Sequence, residues 1–115
     1  MPDELEIRSR RDGSVGIVAL GGEARLERVS ALRSEVASLR AAGAKSLILD
    51  LSSLTFADSA SVGALLDLQR TTAAAGGKMV LVGCPPRLRR QMEDMGLAGR
   101  FAMSADEASA RKSLA

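Results

Sequence analysis

The stretch LILDLSSLTFADSASVGALL, residues 47–66, joins two hydrophobic patterns through a short polar segment. Its first part belongs to the apolar run KSLILDL, residues 45–51, which is typical of a β-strand buried on both faces. Its last part begins the three- and four-residue spacing of one helix face, at Val62, Leu65 and Leu66, and Leu68 just beyond the stretch continues it. Aspartate is a favoured N-cap, so Asp58-Ser59-Ala60-Ser61 predicts the start of a helix directly after a buried strand.

Patterns on both sides of this stretch predict strands and helices in the order β-β-α-β-α-β-α-β-α. Residues 4–10 and 14–20 flank the turn Asp12-Gly13 and predict a hairpin, with Gly21-Gly22 expected to break its second strand. Strands then alternate with helices, which favours a parallel arrangement. We therefore expect an α/β fold with a mixed, mostly parallel sheet and about four helices, and one domain over residues 1–115.

Single residues mark several predicted boundaries. Gly43 is expected to end the first helix, and Pro86 to begin the third. Ser104-Ala105-Asp106-Glu107 fits a capping box that opens the last helix. Apolar spacing assigns buried faces to two helices: Leu26, Val29, Leu32, Val36 and Leu39 in the first, and Leu88, Met92 and Met95 in the third.

The composition argues against several classes of function. The chain has no histidine and one cysteine, Cys84, so the commonest general base is absent and no cysteine-based metal site can form. We expect no enzyme activity, no metal site and no cofactor. The net charge of +2 and the 2% aromatic content disfavour direct nucleic-acid binding.

Hydropathy and the single cysteine indicate in which cellular compartment the protein is expected. No run of 18 apolar residues is present, and residues 1–13 lack the apolar core of a signal peptide, so no membrane insertion is expected. A free thiol at Cys84 suits a reducing compartment, and we expect a cytoplasmic domain. A sheet with an open edge leaves self-association possible, so we expect a monomer or a weak dimer.

The ordered set of motifs resembles the STAS domain, the fold of bacterial anti-sigma factor antagonists. That family shows an apolar strand, Asp-Leu-Ser, a Phe, and Asp-Ser-Ser/Thr-Gly-Leu-Gly where a helix begins. This chain supplies Asp50-Leu51-Ser52, Phe56, Asp58-Ser59 and Gly63. The later GGKMVLVGCPPRLRRQMEDMGLAGRF, residues 76–101, also follows the family, and the resemblance covers nearly the whole chain.

The resemblance implies a regulatory binding protein of sigma-factor-dependent transcription. Its partner would be an anti-sigma factor with serine kinase activity, which phosphorylates the antagonist and is thereby released. The candidate phosphorylation sites are Ser59 and Ser61. The implied partner-binding residues are those of the helix start and two from the end of the second strand: Asp58, Ser59, Ala60, Ser61, Val62, Gly63, Glu23 and Arg25.

Two departures from the family pattern support an alternative. The second hydroxyl of the family's pair falls on Ala60, and the acidic residue of its Gly-Glu-Leu-Asp motif falls on Arg25. In the best-known members that second hydroxyl takes the phosphate. The alternative is a STAS subunit of a transporter or lipid-trafficking complex that is not phosphorylated.

The polar segment after the strand therefore has two interpretations. Asp58 could act only as a helix cap, as such residues commonly do. Alternatively, Ser59 and Ser61 lie in the first turn with side chains near the surface and accept a phosphate. A phosphate adds about −1.5 to −2 charges at neutral pH, which would oppose a docked partner and leave the fold largely unchanged.

Overall fold

A computed structural model provides the fold and describes residues 4–114. It contains five strands and four α-helices in the predicted order. These are β1 (Glu6–Asp12), β2 (Val15–Ala24), α1 (Val29–Ala41), β3 (Ser46–Ala57), α2 (Ser59–Ala74), β4 (Met79–Val82), α3 (Pro86–Asp94), β5 (Ala102–Ser104) and α4 (Glu107–Leu114). Short 3₁₀ turns precede α1 and β5, at Leu26–Arg28 and Ala98–Arg100.

The strands form one sheet in the order β1-β2-β3-β4-β5. β1 runs antiparallel to β2, and the other three pairings are parallel. The predicted fold class, a mixed and mostly parallel sheet with four helices, is confirmed. Because all the helix connections after β2 are crossovers, the carboxyl ends of β2 and β3 lie side by side, with Ala24 opposite Ala57.

The two faces of the sheet are covered unequally. The larger apolar cluster joins one face of the sheet to residues from α1, α2 and α3, among them Val36, Val62 and Met92. The smaller cluster lies on the other face, where α4 packs Ala110 against four β-branched residues: Ile17, Ile48, Val80 and Val82. Strand residues alternate between the two clusters, as the pleat requires.

Two strands continue past their predicted ends. β2 does not stop at Gly21-Gly22 but reaches Ala24, because the ladder with β3 absorbs two register shifts there. Gly22 adopts φ +83°, which suits glycine in such an irregularity. β3 extends to Ala57, since β2 pairs with it over the added length.

Helix boundaries are mostly as predicted, with three corrections. Gly43 follows α1 with φ +113°, and Pro86 is the first residue of α3. Met95 is 41% exposed because α3 ends before it. Ser104 belongs to β5, and Asp106 caps α4 by accepting the Ser109 N–H at 2.8 Å. The exposure of Leu26 is described below.

No helix within residues 4–114 is both long enough and apolar enough to cross a membrane.

Candidate functional site

Asp58 connects the start of α2 to the segment that follows β2. Its Oδ1 accepts the backbone N–H of Ser61 at 2.8 Å, which makes it the N-cap of α2. Its Oδ2 accepts the backbone N–H of Leu26 at 2.8 Å. Each such bond typically contributes about 1 kcal/mol. One carboxylate therefore holds together the two chain segments that the sequence proposed as a single binding surface.

The pKa of Asp58 is lowered from its ordinary value. Burial of the carboxylate alone would raise the pKa, but contacts with Ser61, the N–H of Leu26 and the positive charge of Arg25 together outweigh it. Asp58 is therefore ionised at neutral pH and places a negative charge next to Ser59.

The lowered pKa predicts how stability depends on pH. Because the folded pKa lies below the unfolded one, the carboxylate stabilises the fold above the ordinary pKa of 3.8, and this contribution is lost as pH falls through the folded pKa. We expect Asp58→Asn to cost about 1 kcal/mol at pH 7 and progressively less below pH 4, because an amide has one accepting oxygen and can keep only one of the two bonds. Urea unfolding at several pH values measures this difference.

Asp67→Asn is the matched control for the Asp58 measurement. Asp67 pairs with Arg33 at 3.0 Å, and both side chains are about half exposed. Surface pairs of this kind contribute roughly 0–1 kcal/mol. If the difference in free energy of unfolding between wild type and Asp58→Asn stayed constant from pH 7 to pH 3, the stabilising role of the Asp58 carboxylate would be contradicted.

The two candidate serines point in different directions. Ser59 is exposed, and so is Ala60. Ser61 is only 4% exposed, and its Oγ has no hydrogen-bond partner among the described residues. The expectation that both serines lie near the surface is wrong for Ser61. Successive helix residues are rotated by about 100°, so a residue two positions further on faces nearly the opposite way.

The other two residues of the proposed binding segment, Val62 and Gly63, also differ in their exposure to solvent. Val62 is fully buried in the larger apolar cluster and offers no surface to a partner, which corrects its assignment as a binding residue. Gly63 is partly exposed, and a Cβ at its position would meet no atom within 4 Å. Ser59, Ala60 and Gly63 are therefore the parts of the segment that a partner can reach.

Glu23 and Arg25 lie close to this helix start. Arg25 Nη2 is 2.8 Å from Glu23 Oε1, and the Arg25 guanidinium lies 4.5 Å from the centroid of the Phe56 ring. Arg25 is also linked to Asp58 through its neighbour Leu26, whose backbone N–H donates a hydrogen bond to the Asp58 carboxylate. The structure thus brings together Glu23, Arg25 and the start of α2, for which the family resemblance implied a role in partner binding.

One exposed residue, Leu26, was not predicted from the sequence. Leu26 is 63% exposed, although its spacing placed it on the buried face of the first helix. It belongs to the 3₁₀ turn before α1, where the helical periodicity does not yet apply. No sequence signal distinguished it from the residues that follow. We call the following set, in which Glu23 and Phe56 are partly buried and the others exposed, the Ser59 surface: Glu23, Arg25, Leu26, Phe56, Ser59 and Ala60.

A family model for the STAS domain matches residues 6–110, and the chain belongs to the STAS domain family. The match includes every strand, the start of α2 and all of the Ser59 surface. The resemblance inferred from the motifs is confirmed.

Solved structures share this fold at low sequence identity. An anti-sigma factor antagonist from Mycobacterium paratuberculosis is 22% identical, with a TM-score of 0.80 and coverage of 99% of this chain and 97% of that one. The phosphorylated form of the Bacillus cell fate determinant SpoIIAA is 20% identical, with a TM-score of 0.72 and coverage of 95% and 98%. At such identities the likeness shows the fold.

A transporter also contains the fold. A murine anion transporter of the Solute Carrier 26 family is 22% identical over 76% of this chain, with a TM-score of 0.63. The match covers 14% of the transporter chain. The fold therefore occurs both in small regulatory proteins and as part of a larger membrane protein.

Proposed function

We propose that the chain is an anti-sigma factor antagonist of the bacterial cytoplasm, a binding protein and not an enzyme. It binds an anti-sigma factor with serine kinase activity through the Ser59 surface, and phosphorylation of Ser59 releases that partner. The observation that carries the proposal is the position of Ser59: its side chain is exposed in the first turn of α2, beside the ionised Asp58 and the exposed Leu26.

The geometry supports Ser59 over Ser61 as the phosphate acceptor. A kinase must reach the hydroxyl, and Ser61 lies in the protein interior. A phosphate on Ser59 meets two opposing local effects, since the helix N-terminus favours an anion and Asp58 disfavours it. The fold is therefore little affected, while a partner docked over Leu26 and Ser59 would have to desolvate a dianion.

The proposal is tested by phosphopeptide mapping and by binding. We expect protein from its own growing and stressed cells to carry a phosphate on Ser59, in amounts that change with condition. Ser59→Asp should weaken binding of the anti-sigma factor about tenfold or more, because a charge enters the contact. Ser59→Ala should bind like wild type and resist the kinase. Ser38→Asp, on an exposed position of α1, is the matched control.

Two results would contradict this function. One is an unmodified 55–66 peptide in every condition at full coverage. The other is a set of Ser59→Asp, Ser61→Asp and Arg25→Asp variants that all bind the partner like folded wild type.

A second candidate function is a STAS subunit of a transporter or lipid-trafficking complex. Ala60, exposed where the family's second hydroxyl would stand, favours it, as does the base at Arg25. This function predicts stoichiometric co-purification with a permease or ATPase component and no phosphate on Ser59.

A further inference from the structure

The carboxyl end of β3 has an open side. β3 pairs with β4 only as far as Asp50, which lies opposite Val82, while its pairing with β2 continues to Ala57. Residues 51–57 therefore have a strand on one side and none of the described strands on the other. The chain leaves β4 at Gly83, with φ +64°, and passes through two prolines into α3.

A groove separates this open side from α3. It encloses about 100 Å³ and is lined by residues 54–57 of β3 and by Pro85, Arg87, Leu88 and Gln91. At one end, Gln91 Nε2 donates to the carbonyl oxygen of Ala57 at 2.9 Å. An open strand edge offers backbone N–H and C=O groups, and proteins use such edges to bind extended segments of other chains.

The groove has an apolar floor and a positive border. Leu54 and Leu88 are buried beneath it, and no acidic residue lines it. Arg87 is exposed and forms no ion pair within residues 4–114. Arg25 lies over the Phe56 ring, but its charge is paired with Glu23 at 2.8 Å, so Arg87 is the unpaired cation among the described residues that line the groove. The complementary ligand carries carboxylates next to aliphatic side chains.

Charge also disfavours a second copy of this chain as the occupant. The described sheet has two edge strands, β1 and β5, and β5 contains no charged residue. β1 has the sequence EIRSRRD, with three arginines and two acidic residues. With three basic and two acidic residues, this strand offers no net negative charge to Arg87.

We propose that this groove, the β3–α3 groove, binds an extended acidic segment of a protein partner. The segment lies along β3, places an aliphatic side chain over Leu54 and Leu88, and pairs a carboxylate with Arg87. This contact is a proposal separate from phosphorylation of Ser59, although Phe56 belongs to both the groove and the Ser59 surface.

The test is selection of peptides from a displayed library of random 12-residue sequences on the folded wild-type chain. Bound peptides should be enriched in aspartate or glutamate next to leucine, isoleucine or valine. The best synthetic peptide should slow amide hydrogen exchange in residues 54–57 and 87–91. Arg87→Glu should weaken it about tenfold or more. Arg70→Glu, an equal charge change at an exposed position of α2, should leave its affinity unchanged.

Four outcomes would overturn the proposal. Peptides without acidic enrichment, or with equal affinity for Arg87→Glu and wild type, would remove the charge argument. Slowed hydrogen exchange confined to residues outside the groove would show that the peptide binds elsewhere. Sedimentation showing a wild-type dimer that Arg87→Glu dissociates would assign the groove to a second copy of the chain. Because none of these measurements involves Ser59, they fail or succeed independently of the proposed phosphorylation.

Discussion

Replacing Ser61 by aspartate is expected to lower the free energy of unfolding by about 2 kcal/mol, because it puts a desolvated charge in the interior. Ser61 lines a space of only about 10 Å³, which leaves no room for a hydrated carboxylate, and the guanidinium groups of Arg25 and Arg28, which also line it, offset only part of the desolvation cost. The carboxylate of Asp58, which caps this turn, adds repulsion.

The same substitution at Ser59 is expected to change stability by less than about 0.5 kcal/mol, because an exposed acidic residue in a first helical turn is well tolerated. Urea unfolding of both variants measures the contrast. Ser61→Ala controls for loss of the hydroxyl and should be close to wild type, since the Ser61 Oγ makes no hydrogen bond with the described residues. Equal stability of the two aspartate variants would show that Ser61 is accessible and restore it as an acceptor.

The substitution Gly77→Ala is expected to destabilise the protein by about 3 kcal/mol or more and to lower Tm by roughly 10 °C. A Cβ at this position would overlap the carbonyl oxygen of Lys45 and lie 2.8 Å from its carbonyl carbon. Both of these atoms belong to the backbone, so either the segment that leads into β3 or the segment that leads into β4 must move. That movement would disturb the bond from Leu47 N–H to the Lys78 carbonyl, 2.9 Å long, where β3 begins its pairing with β4.

The matched control is Gly63→Ala, the same chemical change in the middle of α2. A Cβ there meets no atom within 4 Å, and alanine is favoured over glycine inside a helix by about 1 kcal/mol. We expect this variant to be more stable than wild type. Thermal unfolding of the two variants should therefore shift in opposite directions, and a Gly77→Ala variant as stable as Gly63→Ala would disprove the predicted clash.

Local patterns were sufficient for the order of elements and for the start of α2. The Asp58 cap, Pro86 at the start of α3 and Gly43 after α1 depend on the chemistry of residues within one or two turns. Such signals survive in any tertiary context that keeps the helix. The position of the candidate site after β3 followed from the same local signals, together with the family resemblance.

The full lengths of β2 and β3 were not predictable in this way, because a strand lasts as long as its neighbour pairs with it. Gly21 and Gly22 look like a strand end, yet β3 holds β2 in the sheet through two register shifts. The ladder also carries β3 past the end of β4, and that difference in length opens the β3–α3 groove.

By itself, the sequence determined the STAS architecture and the segment that carries the candidate site, since both depend on apolar periodicity, helix caps and turn residues. Only the tertiary structure decided which side chains of that segment reach solvent. Ser59 and Ser61 are chemically identical and two residues apart, and a helix becomes sided only when one face packs on the sheet. The same packing buries Val62, leaves Leu26 exposed and brings Arg25 over Phe56.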